Sequence, residues 1–89
     1  MGASQDWQDT TYTETFEKEL RWLERRRKAD PNCSVEDIEG TLKHLYIMDG
    51  ADLGGRGALQ DTVNAATIAA YEQFIASWRA ELPQPLVTN

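Results

Sequence analysis

The sequence predicts an all-α fold, in which an antiparallel helical hairpin and a long third helix form a three-helix bundle or half of a helical dimer. Apolar residues recur at spacings of three and four along three separate segments, as on the buried face of a helix. Asp30-Pro31-Asn32 separates the first two segments, and a stretch at 49–57 with four of the six glycines separates the last two. With 89 residues, 40% hydrophobic and 27% charged, the chain has the composition of one small globular domain.

The first helix is predicted to begin near Thr11, because Thr11 and Glu14 stand at the spacing of a capping box. Residues 1–11 are predicted to be a flexible arm that only Trp7 could anchor. The core-facing row of this helix is Tyr12, Phe16, Leu20 and Leu23. On the exposed side, acid–base pairs at i,i+4 are expected to form ion pairs: Glu14 with Lys18, Glu17 with Arg21, and Glu24 with Lys28. Pro31 then ends the helix.

The second helix is predicted to follow Ser34, whose hydroxyl can cap the helix while Asp37 completes a capping box. Cys33 and Ile38 occupy the two positions of a hydrophobic staple, which gives the single cysteine a packing role. The buried row is Val35, Ile38, Leu42 and Leu45. Gly50 is the expected C-terminal stop of this helix.

The third helix is predicted to run from about Ala58 to Leu82, so that residues 12–82 form a single helical domain and residues 83–89 an extended tail. It carries two apolar rows. The first row is Leu59, Val63, Ala66, Ala70 and Phe74. The second row is Ile68, Tyr71, Ile75, Trp78 and Leu82. A helix that is apolar on two sides needs two sets of partners, so a second copy of the chain is expected to cover the second row.

A contact surface with another protein is therefore predicted at the second row together with Trp22, which lies off the main row of the first helix. Its predicted residues are Trp22, Ile68, Tyr71, Ile75, Trp78 and Leu82. The formal net charge of −6 argues against a nonspecific nucleic-acid or anionic-membrane binder, although a basic run, Arg25 to Lys28, ends the first helix. One cysteine, no secretory signal and no apolar stretch of membrane-spanning length make the cytoplasm the expected location.

The glycine-rich stretch offers an alternative, a small-anion or phosphate-ligand site built by Gly54, Gly55, Arg56 and Gly57. Backbone N–H groups of such a turn, the following helix N-terminus and one guanidinium could hold an anion. The spacing superficially resembles a phosphate-binding loop, but Gly57 stands where that loop has the Ser or Thr that holds magnesium. The competing interpretation is a plain interhelical turn.

Other chemistry-bearing residues have structural explanations in the sequence. Asp49, Asp52 and Asp61 lack the spacing of a calcium loop and are interpreted as helix caps or solvated acids. His44, the only histidine, is predicted to lie at the surface. The sequence thus predicts no catalytic residues, no metal site and no cofactor, and favours a non-catalytic interaction or regulatory module that self-associates through its third helix.

Overall fold

Three helices make up the fold: α1 spans Ala3–Ala29, α2 spans Val35–Gly50 and α3 spans Gly57–Glu81. The structure is a computed structural model that describes residues 3–50 and 57–82, with side chains described over 7–48 and 57–82. These ranges contain helices and the connection between α1 and α2, and no strand. The predicted all-α three-helix architecture is confirmed.

Helix α1 begins at Ala3, so the predicted start near Thr11 was wrong. No glycine or proline lies between Ala3 and Asp30, and nothing in the covalent chain therefore stops the helix from extending toward its N-terminus. Thr11 consequently lies inside α1 and is not its N-cap. The division of the chain into an arm, a domain and a tail stays a prediction, and residues 83–89 lie outside the described part.

The start of α2 has the predicted capping box. The Asp37 backbone N–H donates to the Ser34 hydroxyl oxygen at 3.2 Å, and the Ser34 N–H donates to a carboxylate oxygen of Asp37 at 3.1 Å. These two bonds satisfy backbone donors that the first turn of a helix leaves without partners. Cys33 and Ile38 are both buried in the same core cluster, as a hydrophobic staple requires. The local sequence therefore sets this helix boundary.

The directions of the helices follow from contacts between their ends. Arg27 near the end of α1 forms an ion pair at 2.9 Å with Glu81 at the end of α3, so α1 and α3 run parallel. Glu39 in α2 pairs with Arg79 at 2.6 Å, and the Tyr46 hydroxyl donates to Glu72. Since residue numbers rise along α2 as they fall along α3 in these contacts, α2 runs antiparallel to α3. Both α1 and α2 pack on α3, which is the central helix.

The core contains both apolar rows of α3. Leu23 of α1 and Ile38 of α2 are completely buried. Around them the core cluster also contains Cys33, Val35, Leu42, Tyr71, Phe74, Ile75 and Trp78. Ala66 and Ala70 are completely buried as well, since their small side chains let a neighbouring helix approach closely. A single chain therefore covers α3 on two sides along this stretch.

This packing removes the reason for expecting a second copy of the chain to cover the second row. Tyr71, Ile75 and Trp78 are only 6%, 9% and 8% exposed in the single chain. The reason is the central place of α3, which has α1 on one side and α2 on another. The premise that one hairpin cannot cover both rows was wrong, and an interface at these three residues no longer follows from exposure. Only the row ends Leu59 and Leu82 are exposed, while Ile68 packs partly buried against the core.

Candidate protein-interaction surface

Most residues of the predicted anion site lie outside the described part of the chain, namely Gly54, Gly55 and Arg56. Gly57 is described and is the first residue of α3, with a φ of +84°. This angle is in the left-handed region that favours glycine, so the residue type has a conformational explanation at this position. The anion site itself stays a prediction.

In the described ranges, no group of three or more His, Cys, Asp or Glu side chains is arranged to hold a metal ion. His44 is exposed on α2, as the sequence predicted. Asp61 is exposed and lies just beyond the first turn of α3.

The side of α1 that faces away from the core carries four cations, with Trp22 at one edge of it. At about 100° per residue, Lys18, Arg21, Arg25 and Lys28 lie about 140–160° around the helix from Leu23, which is completely buried, and Trp22 lies about 100° from it. All five side chains are exposed. We call this surface the outer face of α1, and it consists of Lys18, Arg21, Trp22, Arg25 and Lys28.

Trp22 is 43% exposed, unlike Trp78 in the core. The guanidinium carbon of Arg26 lies 5.8 Å from the centroid of the Trp22 ring, within the range of a cation–π contact. This contact is on the edge of the outer face, where Arg26 is half-buried. Tryptophan is enriched at the energetic centres of protein interfaces, so the exposed Trp22 beside Lys18, Arg25 and Arg26 makes this surface a candidate contact site.

The four cations of the outer face are unpaired within the part of the chain whose side chains are described. Over the two ranges with described side chains, no carboxylate oxygen lies within 4.0 Å of Lys18, Arg21, Arg25 or Lys28. The three ion pairs predicted along α1 are therefore not formed. An exposed pair on a helix gains little Coulomb energy in water and costs side-chain entropy, which explains this outcome.

Two shallow depressions lie among these side chains. One has a volume of about 330 Å³ and is lined by Lys18, Glu19, Trp22 and Arg25. The other has a volume of about 240 Å³ and is lined by Arg21, Glu24, Arg25 and Lys28. Arg25 lines both of them, so the depressions adjoin each other on the outer face. They give the surface relief into which side chains of a partner can fit.

A larger groove of about 550 Å³ lies between the C-terminal halves of α1 and α3. Its apolar lining comes from Leu20, Phe74 and Trp78, and the two aromatic rings meet edge to face with centroids 5.6 Å apart. The guanidinium carbon of Arg27 lies 4.0 Å from the centroid of the Trp78 ring, while the same guanidinium pairs with Glu81. Arg27 therefore covers one side of Trp78 and links the ends of the two helices.

Two tyrosines have a pKa above the usual value for a tyrosine. Burial raises the pKa of Tyr71 above its usual value, and the negative charge of Glu19 adds to this effect. The pKa of Tyr46 is raised because its hydroxyl donates a hydrogen bond to Glu72. Both environments favour the neutral phenol, so neither tyrosine is activated as a nucleophile or a base.

No family model, curated protein or solved structure matches this chain. None of the helices in the described ranges is long and apolar enough to cross a membrane. Trp22 was predicted as a contact residue from the sequence, and this stays a prediction. The lack of partners for the four cations among the described side chains was missed, because the i,i+4 spacing had assigned three of them to intrahelical partners. The groove could not be predicted from the sequence either, because its walls come from both α1 and α3.

Proposed function

We propose that this protein is a non-catalytic helical interaction module that contacts a protein partner through the outer face of α1. The observation that carries the proposal is Trp22, a large aromatic side chain left 43% exposed between Lys18 and Arg25, which have no ion-pair partner among the described side chains. Removing such a ring from water against a partner provides contact energy, while unpaired cations provide orientation and rapid association.

The distribution of charge supports this surface over others. The segment 18–28 contains six of the nine Lys and Arg residues and only two of the fifteen acids, which gives it a net charge of +4 in a chain of net charge −6. The remainder of the chain therefore carries −10. A surface that concentrates one sign of charge on a protein of the opposite sign steers a complementary partner to that surface.

Self-association remains a further proposal, and on α3 it would have to use residues at the exposed ends of the apolar rows, such as Leu82. The central residues of the second α3 row are buried in their own chain and offer no surface to a second copy.

A reducing compartment such as the cytoplasm is the proposed location, because Cys33 is a free, buried cysteine that packs in the core.

The test is a selection of peptides from a random display library on the immobilised full chain, followed by affinity measurements with purified variants. We expect Trp22→Ala to weaken binding of the selected peptides by about tenfold or more, equivalent to about 1.4 kcal/mol. Lys43→Glu is the matched control, since Lys43 is exposed on α2 and lies outside the proposed surface. Its affinities should equal those of the parent.

Circular dichroism of each variant establishes that the fold is retained. Peptides that bind Trp22→Ala as tightly as the parent would place the contact elsewhere and contradict the proposal. Selection that yields no peptide above background on the parent would contradict it as well.

A further inference from the structure

We infer that the partner of the outer face is an acidic segment in which carboxylates flank one large apolar side chain, an inference that rests on the proposed function. The apolar side chain would pack on Trp22, and the carboxylates would pair with cations on either side of it. Each of these two contacts follows from a separate feature of the surface.

The first feature is the position of the cations along the helix. Lys18 precedes Trp22 by four residues and Arg25 follows it by three, so both lie about one turn from the indole and on the same side of α1. At 1.5 Å per residue, these two cations are separated by roughly 10 Å along the helix axis. A segment with acids two positions before and after an apolar residue spans about 13 Å when extended, about 3 Å more than this separation, and the long Lys and Arg side chains can reach over that difference.

The second feature is the indole itself. Its depression of about 330 Å³ is lined by Lys18, Glu19 and Arg25 in addition to the ring. Arg26 contacts the ring by a cation–π interaction, which restricts the indole without covering it. An apolar side chain placed here would exclude water from the neighbouring cations and strengthen their pairing with carboxylates.

The third feature limits the length of the partner's charged segment. The basic segment from residue 18 to residue 28 extends for roughly 15 Å. Glu14 and Glu17 are exposed in the two turns before it, and Glu24 lies at its edge. A long polyanion such as a nucleic acid would continue past the cations onto these acids and onto an otherwise acidic protein, where it is repelled. A short acidic protein segment avoids this repulsion.

The experiment uses the full chain and three synthetic peptides of identical length. The first contains a Leu between flanking Asp and Glu residues. In the second, Gln and Asn replace the acids, and in the third, Ala replaces the Leu. Binding is followed by shifts of backbone amide signals in nitrogen-15 correlation spectra, and affinities are measured by calorimetry at low and at physiological salt.

We expect the acidic Leu peptide to shift the amide signals of residues 18–28 and to bind more weakly as salt increases. Each of the two altered peptides should bind about tenfold more weakly or worse. Arg21→Glu and Arg25→Glu should each reduce the affinity by a similar factor. Lys43→Glu should leave it unchanged, because Lys43 is exposed on a different helix.

The outcomes separate this inference from the proposed function. Equal affinity for the acidic and the uncharged peptide would overturn the acidic partner, while Trp22-dependent binding of display-selected peptides would still support the interaction module. Tighter binding of a single-stranded oligonucleotide than of the acidic peptide, at the same salt concentration, would also overturn the inference. Failure of every peptide, including the display-selected ones, would remove both.

Discussion

At the scale of single residues, two glycines show how the backbone φ angle determines the effect of replacing a glycine by another residue. Gly57 begins α3 at a φ of +84°, whereas Gly40 lies inside α2 without a positive φ. A Cβ atom added at either position would have no heavy atom within 4 Å. Steric contacts with neighbours therefore cannot distinguish the two sites, and only the backbone conformation does.

We predict opposite effects of alanine at these positions. Gly57→Ala should lower the free energy of unfolding by about 1 kcal/mol, because an L-residue is strained in the left-handed region. Gly40→Ala should raise it by about 0.5–1 kcal/mol, because alanine costs less backbone entropy in a helix. Urea denaturation followed by circular dichroism measures both. Stabilisation by Gly57→Ala would contradict the assigned angle.

At the scale of helices, the basic run at the end of α1 divides into two groups by direction. Successive residues point about 100° apart around a helix, so neighbours in sequence face different surroundings. Arg27 points toward α3, where it pairs with Glu81 and covers the Trp78 ring. Arg25 and Lys28 point outward among the exposed side chains. One run of like residues thus contributes to both stability and the proposed contact surface.

We predict that Arg27→Gln destabilises the protein more than Glu81→Gln does. Glu81→Gln removes only an exposed ion pair and should change the free energy of unfolding by less than about 1 kcal/mol. Arg27→Gln also removes the cation–π contact and the cover over Trp78, and should cost about 1–2 kcal/mol. Chemical denaturation measures both, with Arg25→Gln as a control expected within about 0.5 kcal/mol of the parent. Equal losses from the two substitutions would show that the ion pair, not the stacking, stabilises this end.

At the scale of the whole molecule, the central place of α3 determines how much of the chain remains for partners. Because α1 and α2 pack on different sides of α3, its aromatic and branched residues are used to hold one chain together. The outer face of α1 stays exposed and is the surface of the proposed contact. In that proposal, the residues for folding and those for recognition lie on separate helix faces.

We therefore predict that Ile75→Asp unfolds the chain, and does not merely dissociate a dimer. Ile75 is 9% exposed in a single copy, and a carboxylate there would lose its hydration without a partner. The cost should be at least about 3 kcal/mol, a large part of the stability of a small domain. Thermal unfolding followed by circular dichroism, with light scattering for mass, provides the measurement.

Ile47→Asp is the matched control for this substitution. Ile47 is 59% exposed on α2, so the same chemical change should have little effect on the thermal midpoint there. A fully helical Ile75→Asp monomer as stable as the parent would contradict the single-chain core.

The fold was largely predictable because its signals are local. The Ser34 and Asp37 capping box and the helical spacing of α3 depend on residues within a few positions of one another. The start of α1 was mispredicted because a capping-box spacing at Thr11 also occurs by chance inside a continuous helix. Trp22 was predictable as a surface residue because it departs from the apolar row of its own helix.

The sequence by itself determined three amphipathic helices and one basic segment in an acidic chain, because periodicity and charge are properties of neighbouring residues. Only the tertiary structure decided that Tyr71, Ile75 and Trp78 are buried within one copy of the chain and that Arg27 forms an ion pair with Glu81. Burial and pairing depend on where other helices lie, and that arrangement is not encoded in the spacing along any one of them.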